Sequence, residues 1–220
     1  MFLTRMFVNP RKRGAQRLLA SPQRMHAAVA AGFPPPSFED DATRPLWRID
    51  RRPDQVALLI AGPVEPDLTH LVEQAGWQTG ELWQTRPYGP LLDRLAQGQS
   101  WNFRLTANPT YAGRKEGWAD TKPRAHTTAK QQESWLLDRC GRAGFRIPDG
   151  PSGDSELQIL DRSLLRFARG GHTVSLATAT YEGRLIVDNA DLLRGTLCRG
   201  LGRAKAYGCG LLTLAPLGAT

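Results

Sequence analysis

An order of apolar-patterned segments that runs strand, helix, strand, strand, helix, strand, and then recurs, constrains this 220-residue chain more than any other feature. Residues 1–8 alternate apolar and polar positions, as a strand with one buried face does. Two short helical pieces follow, over residues 10–19 and from Ser21-Pro22 onward. Ser21 is a good N-cap, Pro22 suits the first helical position and Gly32 marks a stop. Pro34-Pro35-Pro36 cannot continue a helix. Residues 45–51 and 55–61 read as two strands across the Arg52-Pro53-Asp54 turn. Residues 67–75 have helical spacing up to Gly76, and residues 81–84 can close the sheet. The βαββαβ order is the ferredoxin-like pattern.

The second cycle is longer. In residues 100–107, Trp101, Phe103 and Leu105 alternate with Asn102, Arg104 and Thr106, which predicts a half-buried strand. Residues 108–128 are polar, basic and rich in turn formers, and read as one long loop. Thr128 can cap a helix running through Trp135 to Cys140 and ending at Gly141 or Gly144. Residues 157–167 and 173–187 read as strands, with Glu182-Gly183 as a hairpin turn. Asn189 caps a helix carrying Leu192, Leu193, Leu197 and Leu201, and residues 211–214 form the last strand. The expected architecture is α+β, with tandem ferredoxin-like (RRM-like) domains over residues 1–95 and 96–220.

Charge gives the first indication of a partner. Lys and Arg number 29 against 21 Asp and Glu, a net charge of +8. Residues 1–38 contain no acid but carry Arg5, Arg11, Lys12, Arg13, Arg17 and Arg24. Residues 192–220 are also acid-free, with Arg194, Arg199, Arg203 and Lys205. A third basic stretch holds Arg114, Lys115, Lys122, Arg124 and Lys130. Segregated charge of this kind suits a polyanion, the plainer reading being a solvated surface.

Several classes are set aside. The apolar run from Val56 to Ile60 is far shorter than the ~18 residues of a spanning helix, and the N-terminus lacks a signal-peptide cleavage pattern. Cys140, Cys198 and Cys209 form no CxxC pair, which argues against a disulfide framework or cysteine zinc site and for a reducing cytoplasm. His26, His70, His126 and His172 show no metal-ligand spacing. Glu39-Asp40-Asp41 is the one dense acidic group and adjoins a proline-rich loop, a poor basis for a metal-dependent nuclease. No RNP string of the RRM type occurs.

Two segments carry chemistry. The run Gly200-Leu201-Gly202-Arg203-Ala204-Lys205-Ala206-Tyr207-Gly208-Cys209-Gly210 combines backbone freedom with two cations, so phosphate is the natural guest. It follows a helix and enters a strand, the reverse of a dinucleotide fingerprint, and a purely structural turn is the alternative. The helix opened by Ser21 places Met25, Ala28 and Val29 on one face, with His26 about 100° away from Met25. A lone helical histidine is most often a packed or surface residue; the arginine-rich segment before this one gives it context.

Taken with the Met1-Phe2-Leu3-Thr4-Arg5 start, the Asn9-Pro10 step, the strand Phe103-Arg104-Leu105-Thr106-Ala107-Asn108-Pro109 and the stretch from Gln132 to Leu136, these segments resemble the CasE family, the repeat-RNA endoribonucleases of type I-E CRISPR systems. The resemblance covers nearly the whole chain. It implies two ferredoxin-like domains that grip a stem-loop in each CRISPR repeat and cut at the 3′ base of the stem. Cleavage needs neither metal nor cofactor, and leaves a 2′,3′-cyclic (or 3′) phosphate and a 5′-hydroxyl. The product stays bound, alongside the other Cascade subunits. His26 falls at the family's catalytic histidine, as general base or general acid. Gln23 stands where some members carry tyrosine, which leaves the second catalytic partner unassigned. Lys122 and Arg124 match a basic stretch that meets RNA in the family; the glycine segment, with Gly200, Gly202, Arg203, Lys205, Gly208 and Gly210, is expected to track the backbone near the cut, and Arg24 to be a phosphate contact. Arg11, Lys12 and Arg13 would add general attraction, and Tyr207 would pack or reach the RNA. The acidic turn over residues 149–155 occupies a place where relatives can carry arginine. A subunit that holds RNA without cutting it is the competing reading.

Overall fold

The structure, a computed structural model, describes residues 1–35, 44–113, 121–151 and 153–218. The first half runs β1 (Phe2–Val8), α1 (Arg13–Leu19), α2 (Pro22–Ala30), β2 (Leu46–Arg51), β3 (Val56–Gly62), α3 (Thr69–Ala75) and β4 (Gln84–Pro87). Its sheet has the order β2-β3-β1-β4, every pair antiparallel, which is the ferredoxin-like arrangement. Thr4, Met6 and Val8 turn one face of β1 inward, and Met6 and Val8 join Leu18, Met25, Val29, Leu71 and Val72 from the helices in one core. Period-two burial on a strand and a single buried stripe on each helix are what the apolar pattern requires.

After the short α4 (Gly89–Asp93), the second half runs β5 (Ser100–Ala107), β6 (Thr110–Gly113), β7 (Lys122–Ala125), α5 (Ala129–Ala143), β8 (Phe145–Arg146), β9 (Leu157–Arg169), β10 (His172–Val187), α6 (Ala190–Arg199) and β11 (Leu212–Ala215). The sheet order is β11-β5-β10, and β8 and β9 both pair with β10 along its other edge. The chain is therefore a tandem of two ferredoxin-like units. Phe103, Leu105, Leu136, Phe145, Tyr181, Leu193 and Leu197 fill the second core. Thr128 and Gln131 form a capping box at the start of α5, and Gly144 ends it in the left-handed region.

Several expectations shift. The hairpin turn lies at Gly170-Gly171, between β9 and β10, and Glu182-Gly183 sits inside β10 opposite Arg104 and Phe103. Gly183 has no side chain there because the Glu156 carbonyl occupies that space. The closing strand of the first sheet begins at Gln84 rather than at residue 81. Residues 108–128 are not a plain loop, since β6 and β7 form a two-stranded ribbon with Tyr111 opposite Arg124. Helix α1 begins at Arg13 rather than Pro10, and Leu201 lies beyond the end of α6.

The two sheets are fastened by Arg48, which is 1% exposed. Its Nε and Nη2 donate to the two Asp50 carboxylate oxygens at 2.6 and 2.9 Å. Nη1 donates to the carbonyls of Arg104 and Leu211, each at 2.8 Å, and Nη2 also to Thr213 Oγ1 at 2.9 Å. All five donors of the guanidinium are used, three of them on the second half of the chain. Beside this cluster Leu46, Ala61 and Leu211 pack with Met1 and Leu3.

Candidate cleavage site and nucleic-acid interface

Helix α2 begins where the sequence predicts. The Ser21 hydroxyl accepts from the Arg24 backbone N–H at 3.4 Å, and Pro22 occupies the first turn. Burial of Met25 and Val29 in the first core fixes the rotation of the helix. His26 is then half-buried on its flank, Gln23 half-buried one turn before it, and Arg24 exposed. The same helix packs against the 3-10 turn Lys205–Tyr207 and against β9 from the second sheet. His26 is therefore brought beside the glycine-rich segment across some 180 residues of chain.

Burial is the largest influence on the His26 imidazole, followed by the positive charges of Arg44 and Arg169, and all three hold its pKa below the ordinary 6.5. Arg169 ends β9, with its guanidinium 5.9 Å from the Tyr207 ring centroid. Tyr207 in turn packs on Phe167 at 4.8 Å. Arg44 and Arg169 were not among the sequence candidates. Arg169 stands beside a Gly-Gly pair that signals a hairpin tip, but nothing local says that the tip reaches α2.

The glycine-rich segment leaves α6 and enters β11, and Gly200, Gly202, Gly208 and Gly210 all take positive φ (76°, 86°, 80° and 93°). Gly208 shows why: a Cβ there would stand 2.7 Å from the Trp47 ring. The Leu201 N–H donates to the Gly210 carbonyl at 2.9 Å, and Gly210 N–H to the Thr106 carbonyl at 2.7 Å. Cys209 and Tyr207 pack with Phe167, Leu165 and Leu176 of the long hairpin. The glycines thus shape the segment against its own protein neighbours, leaving Arg203 exposed and Lys205 half-buried.

Lys122 and Arg124 lie elsewhere, exposed on the β6–β7 ribbon that leans on the start of α5. The link to the glycine segment is Trp135 of α5, whose ring meets Gly202. Lys12, expected to attract polyanions generally, instead donates to the Val72 and Glu73 carbonyls at the end of α3. Glu39, Asp40, Asp41, Arg114 and Lys115 lie outside the described residues. Among the described residues, no three His, Cys, Asp or Glu side chains gather as metal ligands.

A tandem ferredoxin-like chain with a histidine, flanking arginines and a glycine-rich segment at the join of its halves fits a known class, and its sequence places it there. The family described as CRISPR associated protein matches residues 1–216, and the chain belongs to that family. It is 33% identical over 224 residues to the CRISPR-associated endoribonuclease Cse3 of Thermus thermophilus, covering 98% of this chain and 100% of that protein. It is 30% identical over 131 residues to the Cascade subunit CasE of Escherichia coli, covering 56% of this chain and 62% of that one. A solved structure of Cse3 bound to a 19-nucleotide RNA superposes with a TM-score of 0.83 at 32% identity, covering 98% and 100% of the two chains. The crystal structure of Escherichia coli Cas6e, 22% identical and covering 99% and 100%, shares the fold with a TM-score of 0.67.

Proposed function

We propose that this chain is a metal-independent endoribonuclease that grips the stem-loop of CRISPR repeats with domains spanning residues 1–95 and 96–220. It cuts at the 3′ base of the stem and keeps the guide RNA within Cascade. The observation that carries this reading is His26 on α2 with two arginines, Arg44 and Arg169, close enough to lower its pKa, in a relative of Cse3 over its full length.

RNA brings its own nucleophile. A depressed pKa leaves His26 neutral at pH 7, the form that accepts a proton, so we assign it as general base. The imidazole takes the 2′-hydroxyl proton, and the 2′-oxygen bonds to phosphorus. The bond to the 5′-oxygen breaks, leaving a 2′,3′-cyclic phosphate. Arg44 and Arg169 are placed to stabilise the charge that builds on the phosphoryl oxygens. Gln23 has no proton to exchange near neutral pH, so the departing 5′-oxygen is protonated by water, and the imidazolium returns its proton to solvent. Arg24, Arg203, Lys205, Lys122 and Arg124, with the backbone at Gly200, Gly202, Gly208 and Gly210, supply the RNA track. A stem held this way is read by shape, phosphates and 2′-hydroxyls. No helix among the described residues is long and apolar enough to cross a membrane, and a cytoplasmic place is part of the proposal.

Incubation of repeat RNA in EDTA tests this reading. A shortened 5′ fragment ending in cyclic phosphate is expected, with His26→Ala slower by roughly 10²–10⁴ at saturating protein. The competing reading, a subunit that holds RNA without cutting, is favoured by Gln23; tight binding with no fragment would establish it.

A further inference from the structure

A concavity of about 640 Å³ lies between the β6–β7 ribbon and α5. Tyr111, 43% exposed, forms one wall with His126, their rings 4.9 Å apart. Trp135, 3% exposed, contributes the floor, with the Arg139 guanidinium 4.3 Å from its ring. Lys130 is exposed on the same side, near the positive end of α5. Asp138 is a carboxylate on the same helix, eight residues further on and so about 12 Å away along the axis. His126 Nδ1 and Trp135 Nε1 are both buried, and neither has a hydrogen-bond partner among the described residues. Buried polar atoms are rarely left so, and two of them belong to side chains lining one cavity. The His126 backbone is fixed by its N–H to the Pro109 carbonyl at 3.0 Å and its carbonyl to Gln132 Nε2 at 2.9 Å.

We infer that this cavity holds one unpaired nucleotide flanking the RNA stem, an assignment that rests on the proposed function. The base stacks on Tyr111, its edge meets His126 and Trp135, and its phosphate sits by Lys130. Aromatic faces with neighbouring cations are the usual means of holding an unstacked base. Position argues for the flank over the terminal loop. Trp135 meets Gly202, and three to five residues later, at Lys205–Tyr207, the same segment packs on the helix that carries His26. The cavity is therefore one segment away from the site where the strand is cut.

Binding and cleavage are measured with a CRISPR repeat RNA, whole and trimmed to its paired bases and loop. Tyr111→Ala is expected to weaken binding of the whole repeat roughly 5- to 150-fold, the range for one base–aromatic stack, and to leave the trimmed stem-loop unchanged. Lys130→Ala should lower affinity in the same RNA-selective way. Equal affinity of Tyr111→Ala and parent for the whole repeat, while the parent still cleaves it, overturns the cavity assignment alone. Equal losses on both RNAs also overturn it, because they mark a packing role for Tyr111. A parent that neither binds nor cleaves the repeat overturns the function and this inference together.

Discussion

Removal of the Arg48 guanidinium would test whether the two halves are held in one arrangement. Arg48→Ala strips donors from both Asp50 carboxylate oxygens, the Arg104 and Leu211 carbonyls and the Thr213 hydroxyl. Asp50 keeps a weaker link to Arg104 at 3.5 Å and the Arg104 carbonyl keeps the Thr213 hydroxyl at 3.4 Å, while the Leu211 carbonyl loses its side-chain donor beside the Leu46, Ala61 and Leu211 cluster. Breaking a buried pair from one side costs about 3–5 kcal/mol. At about 2–4 °C per kcal/mol for a chain of this length, the melting temperature should fall by roughly 6–20 °C. Circular dichroism melts of Arg48→Ala, Asp50→Asn and the double variant read both the loss and the coupling. The double variant should lie closer to the parent than the sum of the singles. A melting temperature for Arg48→Ala within about 2 °C of the parent would refute the reasoning, because it would mean that water replaces the lost donors without cost.

Three further outcomes follow from the site. Because the folded pKa of His26 is lowered, the unfolded chain binds more protons between that value and 6.5. Its contribution to stability is thus fully present above pH 6.5 and lost as pH falls, and kcat/KM should rise to a plateau with a midpoint below 6.5. A rate that declines from pH 6 to 8 would make the imidazole the acid instead. Arg169→Ala should slow single-turnover cleavage roughly 10²–10³-fold with Kd changed by less than about tenfold; an unaltered rate at saturating protein removes Arg169 from the mechanism. Gly208→Ala should destabilise by about 2–5 kcal/mol in urea titration, from a left-handed alanine and a Cβ forced against Trp47; a loss below about 1 kcal/mol would show that the segment can rearrange.

The fold was legible because each cycle writes its periodicity plainly. Ser21-Pro22 and Thr128 mark helix starts by chemistry that acts within four residues, and alternation in residues 100–107 gives β5 to the residue. Local chemistry also misled. Glu182-Gly183 has turn composition, yet Gly183 is small because the Glu156 carbonyl crowds it, and Arg184 pairs with Glu156 nearby. The candidate site was legible in part. His26 and the glycine segment carry their own signals, whereas Arg44 and Arg169 matter through proximity that only the tertiary fold creates. Arg48 gives no sign either: apart from Asp50, two residues on, its partners come from β5, β11 and the residue before β11.

Arg169 rides near the tip of a ribbon, opposite His172 where β9 turns into β10. Antiparallel strands advance about 3.4 Å per residue and reverse their side-chain direction at each step. One residue added to each strand below that tip would carry the cation outward and swing it to the opposite face, away from α2. Two added to each would restore its direction but leave it almost 7 Å too far. On the proposed mechanism, the length of this arm, more than the identity of most residues along it, sets whether the Arg169 charge reaches His26.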